Sequence, residues 1–329
     1  LTQIVDDSGT RTIAYTPYNE TESETTSGLA ASALHFQRDA LGRPLGYNLN
    51  YAASTALQTA WSYDTSGRLS TVSLNAVAVP FTYGYNADNG LLDTLDYPNT
   101  LKRWYTREDK RDLPIKIDYL RPGSQNYPAK TDYSYDELGR PTTKKDYFNT
   151  PAPDLTHAYS YNGRNELIAD AMSRGGTYGY DYDNIGNRKT AQEGTDVPAT
   201  AYTSNRLNQY TAIAEGTETP FVPTYDADGN QTKLQTSTGE WIVVYNALNQ
   251  ATSFTQGSKR VECRYDYLNR RVEKAVYDGE TLMSKKRFIY GEYLQIAELD
   301  AMNTSETVAP ILRKTYLWDP LEPIATRVL

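Results

Sequence analysis

One stretch of sequence decides the fold of this chain: Tyr135-Asp136-Glu137-Leu138-Gly139-Arg140-Pro141. Its pattern recurs along the chain. Close copies begin at Tyr63, Tyr182, Tyr225 and Tyr265, and looser copies begin at Tyr85, Tyr161, Tyr202 and Tyr245. The six copies from Tyr161 to Tyr265 are separated by 21, 20, 23, 20 and 20 residues. A fixed period near twenty residues indicates a repeat array.

Each copy of the motif predicts a β-hairpin. Aromatic residues alternate with other residues before the motif, as in Tyr133 and Tyr135, and this period of two places the rings on one face of a strand. Asp at the first turn position can accept a backbone hydrogen bond from two residues later, and Gly at the fourth position adopts a conformation that other residues resist. Twenty residues hold two strands and their connections. The residues assigned to this structural motif are Tyr63, Asp64, Gly67, Arg68, Tyr135, Asp136, Gly139, Arg140, Tyr182, Asp183, Gly186, Tyr225, Asp226, Gly229, Tyr265 and Asp266.

Two further expectations follow from the repeat. The turn glycines Gly67, Gly139, Gly186 and Gly229 should have positive φ angles. Tyrosines one period apart, such as Tyr225, Tyr245 and Tyr265, should form a ladder on one face. Arg68, Arg140 and Arg188 could bind an acidic ligand, or they could lie over neighbouring tyrosines and bridge to turn carboxylates of adjacent repeats. We expect the second arrangement, in which each stacked guanidinium contributes about 0.5 to 2 kcal/mol.

The composition suits a wide sheet better than a thick apolar core. The 329 residues include 29 tyrosines but only 6 phenylalanines, and 39% of them are hydrophobic. Tyrosine packs its ring and leaves its hydroxyl for water or a partner. The net charge of −8 argues against nucleic acid as a partner, because nucleic acid favours clustered Lys and Arg. No apolar run is long enough to span a membrane.

The sequence offers little chemistry. Cys263 is the single cysteine, so no internal disulfide can form, and we expect a buried structural thiol. His157 lies in a strand pattern without a partner motif, and no metal-binding signature is found. Two facing carboxylates could cleave a glycoside, but the motif aspartates occupy one equivalent place in each repeat and are better explained as turn caps. We therefore expect no enzyme activity, no catalytic residue, no metal and no cofactor.

The motif resembles that of the YD-repeat, or RHS (rearrangement hotspot), family. The likeness begins near Arg38, where Arg38–Pro44 keeps every motif feature except the tyrosine, and it covers most of the chain after that point. Arg287–Asp300 is similar to the terminal RHS repeat, although Gly291 directly follows Tyr290 and the turn aspartate is missing. Thr315–Pro323 resembles the strand that leads into the RHS core, but it does not match the core's self-cleavage motif, so no catalytic residue is carried over.

The resemblance and the periodicity together predict an all-β fold. Antiparallel hairpins should form one long, curved, spiralling sheet, which would be a partial shell, because strand twist makes so wide a sheet curl. Residues 1–37 should contain N-terminal strands and a polar loop at Asn19–Gly28. Residues 38–300 should hold the repeats, and residues 301–329 a final loop and a strand leading towards an absent core.

The function that the resemblance implies is structural. In bacterial toxins of this family the shell encloses a C-terminal toxic polypeptide. We therefore expect a secreted or surface-exposed scaffold whose partners are its own C-terminal effector or further repeats of the full-length protein. The alternative is an adhesion module that binds carbohydrate or a cell-surface glycan through its tyrosine-rich faces.

Overall fold

The computed structural model describes residues 2–121, 128–303, 308–321 and 329. Over that part of the chain the secondary structure consists of strands, turns and bends, and no helix that could cross a membrane is found there. The final loop expected after residue 300 and the strand expected at Thr315–Pro323 each lie partly outside the described residues.

The chain divides into two compact units. Unit 1 comprises Leu1–Ala78 and Tyr225–Leu329, and unit 2 comprises Val79–Thr224. The strands before the first boundary are β1 (Gln3–Asp6), β2 (Gly9–Tyr15), β3 (Thr21–Thr26), β4 (Ser32–Arg38), β5 (Pro44–Tyr51), β6 (Ser54–Tyr63) and β7 (Leu69–Leu74), and that boundary lies in β8 (Val77–Tyr85).

Unit 2 then continues with a long meander. Its strands are β9 (Leu92–Asp96), β10 (Lys102–Arg107), β11 (Pro114–Leu120), β12 (Ala129–Tyr135), β13 (Pro141–Tyr147), β14 (Leu155–Tyr161), β15 (Leu167–Met172), β16 (Thr177–Tyr182), β17 (Arg188–Glu193), β18 (Thr200–Ser204) and β19 (Tyr210–Glu215). The chain returns to unit 1 through β20 (Thr224–Tyr225), and the strands that follow are β21 (Gln231–Thr236), β22 (Gly239–Tyr245), β23 (Ala251–Gln256), β24 (Lys259–Tyr265), β25 (Arg271–Asp278), β26 (Thr281–Gly291), β27 (Leu294–Asp300) and β28 (Ile311–Thr315).

The strands pair antiparallel with their neighbours in sequence, as in β12–β13, β13–β14 and β14–β15. Strands β1–β19 belong to one sheet and β20–β28 to a second sheet of nine strands. The prediction of antiparallel hairpins is thus confirmed, but the ladder is interrupted after β19. Two prolines, Pro220 and Pro223, lie in that interval and cannot donate ladder hydrogen bonds. A single bridge between Ile213 and Phe221 forms there instead.

Unit 1 contains an apolar core that the low hydrophobic content did not indicate. Leu34, Leu49 and Leu57 of strands β4–β6 are buried together with Ile296 and Leu299 of β27. The Trp318 ring packs against this cluster, and its Nε1–H donates to the Gln295 carbonyl at 2.8 Å. Early and late strands of the chain therefore share one core.

Unit 2 buries fewer apolar side chains and several charged ones. Phe81, Tyr83 and Leu95 are buried, and so are Arg103 and Asp146. The Asp146 carboxylate accepts a hydrogen bond from the Thr131 hydroxyl at 2.8 Å and pairs with Lys144 at 2.7 Å. Partnered charges of this kind are compatible with burial.

The prediction of a polar loop at Asn19–Gly28 is wrong, because Thr21–Thr26 forms strand β3. Its residues pair with β2 on one side and β4 on the other. The acidic residue Glu24 points towards two arginines, Arg11 and Arg270, which compensate its burial. The polar composition therefore led to a wrong prediction of a loop, because ion pairs take the place of apolar contacts in this strand.

The hairpin between β9 and β10 carries no copy of the motif. A hairpin turn connects β9 to β10, with the Tyr97 N–H donating to the Leu101 carbonyl at 2.7 Å and the Thr100 N–H donating to the Tyr97 carbonyl at 3.0 Å. Thr100 takes a φ of +69°. The turn lacks both Asp and Gly, so the motif search did not find it.

Candidate functional site: the repeat turns

The motif aspartate organises each turn. In the reference copy, Asp136 Oδ1 accepts the backbone N–H groups of Leu138 and Arg140, both at 2.9 Å. The Gly139 N–H donates to the Asp136 carbonyl at 3.0 Å. Burial by itself raises the pKa of Asp136, but the backbone and side-chain hydrogen bonds from Arg140 and the Arg140 charge outweigh it and lower the pKa. The same pattern of Oδ1 contacts occurs at Asp64, Asp183, Asp226 and Asp266.

The fourth turn position requires a left-handed backbone. The glycines there have the predicted positive φ angles, which are +78° at Gly67, +80° at Gly139, +90° at Gly186 and +87° at Gly229. In other copies asparagine takes this place, with φ between +58° and +67° at Asn165, Asn208, Asn249 and Asn269. Asparagine tolerates this region better than most residues. The strand register shifts beside the motif tyrosines Tyr63, Tyr135, Tyr182 and Tyr265, as between Ser134 and Tyr135.

Seven tyrosines at the motif position join their hairpin to the one before it. Tyr161 is a clear case: its hydroxyl donates at 2.8 Å to the carbonyl of Pro141, the first residue of strand β13. The acceptor is the first strand residue after the preceding turn. Equivalent bonds run from Tyr63 to Pro44, Tyr135 to Pro114, Tyr182 to Leu167, Tyr245 to Gln231, Tyr265 to Ala251 and Tyr290 to Arg271.

The residue after the turn glycine also connects neighbouring repeats. Arg140 Nε donates to Asp136 in its own turn at 2.6 Å, and Arg140 Nη1 reaches Asn165 in the next turn at 2.8 Å. The Arg140 guanidinium lies 4.8 Å from the centre of the Tyr161 ring. The expected stacking on the neighbouring tyrosine is therefore present, but the paired carboxylate belongs to the same turn.

Arg68 forms the same pair within its own turn as Arg140, whereas Arg188 occupies a different position in its copy. Arg68 Nε donates to Asp64 in its own turn at 2.8 Å. Arg188 lies one position later in its copy, as the first residue of β17, and stacks over Tyr180 at 4.9 Å. Asn187 takes the arginine place, and its Nδ2 donates to Asp183 at 2.9 Å and to Asn208 of the next turn at 3.3 Å.

One motif turn is buried against a distant hairpin of unit 1. Asp266 pairs with Arg270 of its own turn at 2.7 Å and with Arg11 of β2 at 3.3 Å. The Tyr267 N–H donates to the Asp6 carboxylate at 2.9 Å. Half-buried Glu24 joins Asp266, Arg270 and Arg11 in a cluster of two arginines and two carboxylates, and desolvation lowers the pKa of Arg11. Nothing local in the sequence revealed the cluster, since Arg11 and Asp266 are 255 positions apart.

Unit 2 contains a second polar cluster on the tyrosine face. His157 Nδ1 lies 2.8 Å from Asp170 Oδ2, and the His157 ring stacks on Tyr159. Burial, followed by the negative charge of Asp170 and by Tyr133, raises the pKa of Tyr159 to about 12. The histidine therefore has a partner that the sequence did not identify, which pairs with it across the β14–β15 hairpin.

The predictions for Cys263 and for the copy assigned to Tyr202 have different outcomes. Cys263 is buried, as predicted. The copy assigned to Tyr202 begins two residues too early, because the turn starts at Asn205, whose Oδ1 accepts the N–H groups of Leu207 and Gln209. Ser204 thus takes the tyrosine place. The repeated spacing of Asn205–Asn208 and Asn246–Asn249 was the signal that could have located this turn.

Comparison with solved structures identifies the fold. A crystal structure of TcdB2-TccC3-Cdc42 matches 91% of this chain with a TM-score of 0.73 and 17% sequence identity. A structure of the Tc holotoxin pore from Photorhabdus luminescens matches 92% of the chain with a TM-score of 0.72 and 17% identity. The chain has the YD-repeat shell fold. The predicted RHS/YD resemblance and fold class are therefore confirmed. No family model matches the sequence, and no curated protein matches it significantly.

The low sequence identity and the short coverage limit what these solved structures say about the function of this chain. This chain spans 17% of the length of each of those two chains. At 17% identity the likeness establishes the fold alone, so the activity and partners of the longer proteins do not follow from it.

Proposed function

We propose that this chain is a segment of the shell of a secreted or surface-exposed bacterial RHS-type protein. Its role would be structural: to form part of a wall that holds or presents a C-terminal effector of the full-length protein. The proposal also assigns no catalytic centre to this segment.

The observation that carries the proposal is the bond between successive repeats. Each of the tyrosine hydroxyls described above donates to the backbone of the preceding hairpin, and residues such as Arg140 link one turn to the next. A strand pair cannot bury its own face, so a repeat array depends on such contacts with its neighbours. Polar groups that would otherwise suggest catalysis have structural hydrogen-bond partners: the motif aspartates accept hydrogen bonds within their turns, and His157 pairs with Asp170.

The test uses the full-length protein from which this sequence comes. A protease recognition sequence is placed in the polypeptide that follows the repeats, and a second is placed in the exposed turn at Phe148–Asp154 as an accessibility control. We expect cleavage at the control sequence in native protein, and cleavage at the downstream sequence only after denaturation. Rapid cleavage of the downstream sequence in native protein would contradict enclosure.

A further inference from the structure

The chain contains four pairs in which asparagine or aspartate precedes glycine. They are Asn89-Gly90, Asn162-Gly163, Asp228-Gly229 and Asp278-Gly279. In such a pair the glycine nitrogen can attack the preceding side-chain carbonyl carbon, because glycine has no Cβ to obstruct the approach. The glycine N–H donates to a backbone carbonyl at 3.0 Å in Gly90, 3.1 Å in Gly229 and 2.8 Å in Gly279. Within the described residues, no acceptor lies within hydrogen-bond distance of the Gly163 N–H.

The turn around Asn162 also polarises the side-chain carbonyl that would be attacked. Asn162 takes the place of the motif aspartate in the copy at Tyr161, and its Oδ1 accepts the backbone N–H groups of Arg164 at 2.9 Å and Glu166 at 3.1 Å. Negative charge develops on this oxygen when a nucleophile adds to the carbonyl carbon. Two N–H donors held against it therefore form an arrangement like that of an oxyanion hole.

The residue that faces the Asn162 amide group is unlike its equivalents in other copies. In the motif turns with aspartate, a donor such as Arg140 or Asn187 contacts the second carboxylate oxygen. Here Glu166 takes that place, and Asn162 Nδ2 donates to Glu166 Oε2 at 2.6 Å. This hydrogen bond, followed by those from Arg164, lowers the pKa of Glu166. The pair depends on an amide at position 162, because a carboxylate there would face a second carboxylate.

We propose that Asn162 is a site of spontaneous deamidation whose products destabilise its own turn. The Gly163 nitrogen attacks Asn162 Cγ within the chain and forms the new C–N bond of a succinimide ring. The bond from Cγ to Nδ2 breaks, and Nδ2 departs as ammonia with the proton that the Gly163 N–H has lost. Water then opens the ring, giving aspartate when it adds at Cγ and isoaspartate when it adds at the main-chain carbonyl. The inference is independent of the proposed scaffold role.

Both products disturb contacts within the turn and beyond it. Aspartate at position 162 places a carboxylate oxygen against Glu166, and the Arg164 guanidinium, 2.8 Å from Glu166 Oε2, supplies only one positive charge for the two carboxylates. Isoaspartate lengthens the main chain by one carbon and displaces the N–H groups that Asn162 Oδ1 accepts. Arg164 Nη2 also donates to the Asp183 carbonyl of the next turn at 2.6 Å, so the change reaches the neighbouring repeat.

The first experiment follows deamidation of the whole chain by peptide mapping and mass spectrometry in mildly alkaline buffer. In urea-unfolded chain Asn162 and Asn89 should react at similar rates, because both precede glycine. In native chain Asn162 should react about fivefold faster, since reaction at Asn89 must first break the Gly90 hydrogen bond. Gly163→Ala, which meets no neighbouring atom, should slow the reaction at Asn162 alone. Equal native rates, or a faster reaction at Asn89, would overturn the proposal.

The second experiment measures the consequence by urea denaturation at neutral pH. Asn162→Asp reproduces the aspartate product and should lower the folding equilibrium constant about fivefold, because one hydrogen bond is replaced by a repulsive contact. Adding Glu166→Gln should restore most of that loss, since an amide then donates to the new carboxylate. Glu166→Gln alone is the matched control, because the chain already pairs Asn246 with Gln250 in this way. If Asn162→Asp is as stable as wild type, or if Glu166→Gln does not rescue it, the assigned consequence is wrong.

Discussion

The substitution Tyr161→Phe tests whether hydroxyl bonds between repeats stabilise the array. It removes one hydroxyl, which donates to the Pro141 carbonyl at 2.8 Å, and keeps the ring that stacks beneath Arg140. A typical intramolecular hydrogen bond contributes about 0.5 to 1.5 kcal/mol net. Since Tyr161 is only partly buried, water can reach the vacated carbonyl, and we expect a loss of about 1 kcal/mol. Tyr161→Leu should lose about 1.5 to 2 kcal/mol, because it also removes the stacked ring.

The measurement is chemical denaturation followed by circular dichroism, with hydrogen exchange of the β13 and β14 amides as a local probe. Tyr18→Phe is the matched control, because Tyr18 is 87% exposed and should change stability by less than about 0.3 kcal/mol. Pro141→Ala keeps the accepting carbonyl, so the cost of Tyr161→Phe should be the same in that background. If Tyr161→Phe and Tyr18→Phe have equal effects, the hydroxyl does not hold the repeats together.

Three further predictions concern the turns and the tyrosine face. Gly139→Val should destabilise the chain by about 1 to 3 kcal/mol, because a β-branched residue resists a φ of +80°. Gly139→Asn, which copies the turn at Asn165, should destabilise it by less than half as much. Equal melting temperatures for the two variants would contradict the strain argument. The hydrogen bond from Asn187 contributes most to lowering the pKa of Asp183 below its ordinary value of 3.8. The stabilisation from this lowered pKa is present above 3.8 and is lost as pH falls through the lower folded pKa, so Asp183→Asn should reduce the acid dependence of unfolding below pH 3.8. An unchanged acid transition would argue against this. The pKa of Tyr159 is raised to about 12 from 10.0, so the stability that this tyrosine contributes is complete below pH 10 and is lost as pH rises through 12. Denaturation at pH 9 and pH 11 should show a smaller alkaline loss of stability for Tyr159→Phe than for wild type. Equal losses would count against the raised pKa.

The turns could be predicted from the sequence because their causes are local. The Asp136 carboxylate and the Gly139 backbone both act within five residues of chain, so composition and spacing indicate them directly. The alternation of Tyr133 and Tyr135 likewise indicates a strand face. What the pattern leaves open is the distance between one hairpin and the next, and therefore the acceptor of each hydroxyl.

Features made by distant parts of the chain escaped prediction for the same reason. Strand β3 is polar, and its half-buried Glu24 is compensated by ion pairs with Arg11 and Arg270. Arg270 reaches it from the far end of the sequence. A cavity beside this cluster is lined by Tyr15, from near the start of the chain, and by Tyr293, from near its end. It therefore depends on the same long-range packing.

The acceptor of each tyrosine hydroxyl is a main-chain carbonyl, and this bears on how the array can change during evolution. Pro44, Leu167, Gln231, Ala251 and Arg271 all serve as acceptors, although their side chains have nothing in common. A neighbour therefore needs the correct backbone path and not a particular residue. The hydroxyl bonds therefore require no matching mutation in the adjoining copy, so the side chains at the acceptor position can diverge widely while these bonds stay intact.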